Sequence, residues 1–237
     1  MNITTYTGRL LTLSLELLLL VGTVGFLGAI RGEAAAPSNL SATPAASHSS
    51  PTGATSTGHG IRLTVSSGTS AGYRAREQSF FGEATDVVGT TTAVTGSIVL
   101  NARGRIVPAQ STFIIDLRTL KSDQPENDQF IQENTLQTAQ YPEAVFRVER
   151  VVGLPPVLPT SGTIHGSLVG NLTLHGVTRS TTWTGTATLD RRTVTVVATT
   201  PVTLTSFNIS PPQMGPVSVD DAITLEINVR LTRTPLS

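Results

Sequence analysis

Nine residues near the C-terminus constrain the fold of this chain more than any other feature. Residues 223–231 read Ile-Thr-Leu-Glu-Ile-Asn-Val-Arg-Leu, apolar at every odd position and polar at every even one. A period of two fits a strand with one buried and one wetted face. A helix, with its period of 3.6, would scatter the same side chains around its axis. Weaker alternation occurs at Phe113/Ile115/Leu117, Phe146/Val148, Leu168/Leu172/Leu174, Trp183/Ala187/Leu189 and Val194/Val196/Ala198. Strand-like stretches at 62–65, 73–79 and 94–100 bring the expected total to eight or nine, with turn signals at 101–104 and at His175-Gly176. Composition agrees: 38 of the 237 residues are Thr, whose branched side chain suits a pleated surface.

One stretch breaks the pattern. Asp123 is placed to cap a helix, Pro125 fits a first turn, and Phe130, Ile131 and Leu136 supply an apolar side before Tyr141-Pro142 ends it. The spacing predicts one or two helical turns covering a barrel end.

Two segments precede the β domain. Residues 10–30 are nearly all apolar, but Glu16 leaves only 14 clean residues from Leu17 to Ile30, a length closer to a signal-peptide core than to a membrane span. Arg9 and Arg31 flank the run and give no charge bias. Residues 1–36 therefore read as a signal peptide or signal anchor, with a hydrophobic helix, and the domain is expected outside the cytoplasm. Of the 24 residues in 37–60, 20 are Ser, Thr, Pro, Ala or Gly, the composition of a disordered linker. Residues 61–237 form the domain, large enough to bury about 70% of its unfolded surface.

Composition also excludes functions. Sixteen basic side chains balance sixteen acidic ones and only one of the former is a Lys, Lys121, so nucleic acid is not an expected partner. The chain has no Cys, which removes thiolate metal sites and cysteine nucleophiles. Gly68-Thr-Ser-Ala-Gly72 matches the hydrolase nucleophile elbow, but that motif needs a strand before it and a helix after it, and residues 73–79 read as a strand. Only His165 and His175 fall in the domain, too few for a catalytic zinc site. Asp220-Asp221 reads as a solvated turn at a strand entrance. Neither catalysis nor a cofactor is expected.

What remains is an apolar interior. An eight-stranded antiparallel barrel is just wide enough for one small ligand. The candidate lining residues are Phe113, Ile115, Phe130, Phe146, Val148, Leu172, Leu174, Trp183 and Phe207. His175 and Arg179, at a turn, are candidate headgroup contacts.

The residues also carry a family resemblance. In order, the chain shows Tyr73-Arg-Ala-Arg-Glu77, Val88-Gly-Thr-Thr-Thr-Ala-Val-Thr-Gly-Ser-Ile98, Asp116-Leu-Arg-Thr-Leu-Lys-Ser-Asp123, Asp128-Gln-Phe-Ile131, Gln140-Tyr-Pro-Glu-Ala-Val-Phe146 and Gly170-Asn-Leu-Thr-Leu-His-Gly-Val-Thr-Arg179. This set resembles the YceI-like family of bacterial polyisoprenoid-binding proteins. The resemblance implies an all-β, lipocalin-like antiparallel barrel with a short helical insert. It also implies frequent export, and a polyisoprenoid, quinone tail or similar long apolar chain as ligand. One position departs from the pattern: the family usually has Arg before the Asp of the insert, and here Asn127 precedes Asp128. Two readings stay open, a carrier of an isoprenoid or other long-chain lipid and a tethered structural or interaction module whose barrel is filled by its own side chains. A lipid, the membrane through the N-terminal segment and a second copy of the chain in a homodimer are the partners in view.

Overall fold

The computed structural model describes residues 60–80 and 82–236. The hydrophobic segment expected at 10–30 and the linker up to residue 59 lie outside the described residues. Twelve strands follow one another: β1 (Ile61–Val65), β2 (Ser70–Ser79), β3 (Thr85–Thr91), β4 (Val94–Leu100), β5 (Thr112–Asp116), β6 (Lys121–Ser122), β7 (Glu143–Val152), β8 (Gly162–Leu174), β9 (Val177–Leu189), β10 (Thr193–Thr203), β11 (Gln213–Met214) and β12 (Val217–Pro235). All pairs are antiparallel. The neighbours run β1-β4-β5-β7-β8-β9-β10-β12, and β12 returns to β1 with Val65 opposite Leu231 and Ile61 opposite Pro235. That closes an eight-stranded barrel.

The first two barrel strands are each broken in the middle. Residues 61–79 and 85–100 form one long hairpin, interrupted at 66–69 on one arm and at 92–93 on the other. Below the break β1 and β4 belong to the closed ring; above it β2 pairs with the first half of β12, and β3 carries the short β6 on its outer edge. Gly68, with φ of 85°, makes the turn between β1 and β2, and no helix follows Ser70. The elbow arrangement is absent there.

Alternation on β12 works as its sequence predicts. Ile223, Val229 and Leu231 are buried, and Leu225 and Ile227 pack against the same core. Asp220 and Asp221 lie within β12 rather than in a solvated turn. They occupy an irregularity in its register with β2, between Val219 and Ile223. There Asp221 accepts from the Thr205 N–H at 2.8 Å and the Thr205 hydroxyl at 2.7 Å. At the same end of the barrel, β8 and β9 are joined by the two-residue turn His175-Gly176, with φ of 50° and 74°. Two consecutive positive φ values define the tight hairpin turn whose twist matches that of its strands.

The helical insert is short, as expected, but differs in detail. Helix α1 (Pro125–Phe130) continues directly into a wider turn of π-type at Ile131–Thr135. Gln124, not Asp123, sits at the cap position, and its side chain makes no capping bond. The Asp123 carboxylate instead accepts from the Val88 N–H at 3.3 Å, tying the insert to β3. Asp128, only 8% exposed, accepts from the Ser122 N–H at 2.8 Å and lies 3.8 Å from the Lys121 ammonium. The insert is thus fastened to β6 by a buried carboxylate.

Candidate functional site

The insert roofs an apolar cavity of about 150 Å³ in the upper half of the barrel. Walls come from inward positions of four sheet regions: Ala71, Tyr73 and Ala75 on β2, Phe113 and Ile115 on β5, Phe146 on β7, and Leu172 and Leu174 on β8. Ile223 to Val229 on β12 supply the facing wall through every second side chain. Ile131 and Leu136 form the roof, while Pro212, Met214 and Val219 stand on the other side of the mouth. Glu77, Ser122, Asn127, Thr135 and Glu226, with the hydroxyl-bearing Tyr73, are the polar residues around this space. Nearly all of the surface facing it is carbon.

Six of the residues singled out from sequence meet there: Phe113, Ile115, Phe146, Leu172, Leu174 and Trp183. The other three apolar candidates do not. Val148 is fully buried beyond the cavity wall, and Phe207, 1% exposed, packs in the core from the turn after β10. Phe130 closes α1 without reaching the cavity; its neighbour Ile131 does so, because the chain widens to a π-type turn at that point and shifts which side chain faces inward. Tyr73, Leu117, Leu120, Val219 and Ile227 also line the site, although none of them was a lining candidate from sequence. Leu117 and Ile227 were marked only as members of alternating runs.

The two headgroup candidates also lie off the cavity. Arg179 is exposed and its Nε donates to the Ser206 carbonyl at 3.0 Å, so it clasps the turn after β10 and pairs with no carboxylate. His175 lies in its hairpin turn with its ring centroid 4.2 Å from that of Tyr141, and both ring nitrogens are buried without a partner. Asn127, at the position where the family usually has Arg, borders the cavity, and its amide donates to Gln124 Oε1 at 2.7 Å.

Burial changes the chemistry of one lining group. The Tyr73 phenol is pushed up to about 12, first by loss of water and then by the negative charges of Asp128 and Asp123. It stays a neutral hydroxyl at any physiological pH. Among the described residues no three His, Asp or Glu side chains converge as metal ligands would.

At the bottom of the cavity lies Trp183, 5% exposed, with its ring tilted against Phe146 at 5.7 Å between centroids. Its indole N–H donates to the Thr181 hydroxyl at 3.2 Å, two residues back on the same strand. A second, smaller cavity of about 70 Å³ lies on the other side of it, walled by Leu63, Ile98, Leu168, Val194 and Leu231.

This architecture coincides with a family match. The sequence fits the YceI-like domain over residues 63–231, from β1 to the C-terminal half of β12. The chain belongs to the YceI-like family. None of the curated proteins matches it. Among solved structures it is similar to a polyisoprenoid binding domain from Saccharophagus degradans implicated in plant cell wall breakdown. That match has 11% identity and a TM-score of 0.51, covering 73% of this chain and 98% of that one. It is also similar to Burkholderia cenocepacia BcnA, with 18% identity and a TM-score of 0.47 over 68% of this chain and 95% of that one. A Campylobacter jejuni YceI protein matches with 13% identity and a TM-score of 0.44 over 61% of this chain and 83% of that one. At these identities the likeness to the Saccharophagus domain concerns the YceI-like fold alone.

Proposed function

We propose that this YceI-like protein is a carrier that holds one end of a long apolar chain, a polyisoprenoid, quinone tail or similar lipid, in the upper half of its barrel. The observation that carries the reading is the cavity beneath the insert, open at a rim and lined almost wholly by carbon. The similar Saccharophagus domain is a polyisoprenoid binding domain, which supports the same reading.

Magnitudes favour a chain over a compact guest. An apolar cavity of about 150 Å³ takes a guest of roughly benzene size. Burying six carbons gains about 5 kcal/mol at ~0.8 kcal/mol each, whereas association costs about 4–15 kcal/mol. The cavity alone therefore retains small molecules weakly. Stable retention needs further carbons lying in the mouth, against Met214, Pro212 and Val219. A polyisoprenoid supplies them and a lone ring does not.

We further propose that the protein works outside the cytoplasm, routed by the apolar run at 10–30, which precedes a polar linker and a Cys-free β domain. A reporter enzyme active only in the cytoplasm, fused after Ser237, is expected to be silent. Activity would remove the export claim and leave the binding claim standing.

The carrier reading is tested by extracting the purified protein with organic solvent and analysing the extract by mass spectrometry. A lipid with a long apolar chain is the expected product. A protein that yields none, and takes up none when incubated with prenyl alcohols, has no carrier role.

A further inference from the structure

Trp183 is the single residue, among those described, that faces both cavities of the barrel. Above it lie about 150 Å³ and below it about 70 Å³, both bounded by aliphatic and aromatic carbon. An indole is the largest side chain available, and this one is held on two sides. Phe146 packs against its ring, and its N–H is bonded to Thr181, which is itself 9% exposed. That bond matters for what the indole shows to a ligand. The one polar atom of the ring and the one polar atom of its partner satisfy each other within the strand. The ring therefore needs no polar group from a guest and closes the space as an apolar floor.

We infer that Trp183 is a specificity-determining residue, the floor that sets how much of a chain the barrel accepts. The inference rests on the carrier reading and adds a limit to it: only the terminal segment of a lipid enters, and the rest leaves through the mouth. Below the floor, the smaller cavity is the unused continuation of the same path. Along β12 the lining passes from Val229 above to Leu231 below, and along β4 from Val94 above to Ile98 below, without a change of chemistry. Apolar walls continue past the indole; the ring is what stops the chain.

The test uses a graded series of straight-chain primary alcohols as probes, with affinity measured by calorimetry on the full chain and on Trp183→Ala. For the native protein, affinity is expected to rise about fourfold per added methylene while carbons enter the cavity, then much less steeply once the chain end reaches the floor. Trp183→Ala is expected to extend the steep part by several carbons. A break in slope at the same chain length in a folded Trp183→Ala protein overturns the inference. No binding of any alcohol to the native protein overturns the carrier reading itself, and the floor with it. If Trp183→Ala fails to fold, the native protein answers the question, because Trp183 is its only tryptophan. Alcohols with a terminal bromine are expected to quench its fluorescence increasingly up to the break length and equally at every longer length, since the bromine rests on the ring. Quenching that peaks and then declines as the chain lengthens would show the chain passing the indole, and overturns the inference.

Discussion

The ring of Tyr73 covers Gly89, its direct partner on the neighbouring strand. A Cβ at Gly89 would overlap the ring, lying 2.7 Å from Tyr73 Cζ. Tyr73 faces the cavity from β2, so the empty position on β3 is where its bulk is accommodated. Introducing a side chain there must push the phenol into the cavity or force the strands apart. Gly89→Val is expected to cost about 1–3 kcal/mol, the range for overpacking a filled interior. It should also reduce uptake of an apolar fluorescent probe. Unfolding by denaturant and probe titration on the same preparation check both.

Tyr73 makes stability depend on pH at the alkaline end. Its phenol ionises near 10 in an unfolded chain and at about 12 in the folded one. The folded state thus holds the proton more tightly. The stabilisation is complete below pH 10 and lost as pH rises through 12, up to about 3 kcal/mol in size. Tyr73→Phe has no such proton to lose. Its stability is expected to fall less than that of the native protein between pH 9 and about 12, measured by urea unfolding in that window. Parallel losses in both proteins would contradict the assignment.

Asp221 acts at the other end of the scale. The Thr205 N–H, then the Thr205 hydroxyl, hold its carboxyl below the usual 3.8. A carboxyl depressed by folding stabilises above its unfolded value and loses that contribution as pH falls through its folded one. Asp221→Asn is therefore expected to melt below the native protein at pH 7, with the gap closing as pH drops from about 4 to 2. Thermal unfolding across that range decides it. A gap that does not narrow as pH falls would mean the substitution acts by packing instead.

Most of the barrel was legible because its strands carry one wet and one buried face. β3 was not, although it completes the first hairpin. Its inward positions are Val87, Gly89 and Thr91, and the middle one is empty so that Tyr73 can occupy the space. Alternation within one strand cannot show a residue supplied by its neighbour. The same limit explains Phe207 and Phe130. Hydrophobicity marks both as inward or partly inward, but which interior space a side chain enters depends on the turn that delivers it. For Phe207 that is a 3-10 turn at Thr205–Phe207, and for Phe130 the shift to a π-type turn at Ile131. Trp183 was legible as a lining residue. Its place between two cavities follows only from the assembled strands.

Arg179 offers a test of where the site ends. From sequence, a guanidinium beside a tight turn at a barrel end suits either a clasp or a lipid headgroup. In the structure it is exposed, borders no cavity, and spends its Nε on the Ser206 carbonyl across to the turn after β10. An exposed side chain with one such bond contributes about 1 kcal/mol. Arg179→Met is thus expected to lower the denaturation midpoint slightly and to leave the extracted lipid profile, anionic against neutral headgroups, as it is in the native protein. The same substitution would act quite differently on a headgroup contact: the fold would be untouched, while anionic lipids declined relative to neutral ones. Mass spectrometry of the extract from a well-folded Arg179→Met protein separates the two. A shift toward neutral lipids would bring the β8–β9 turn into the binding site, at a place where the cavity does not reach.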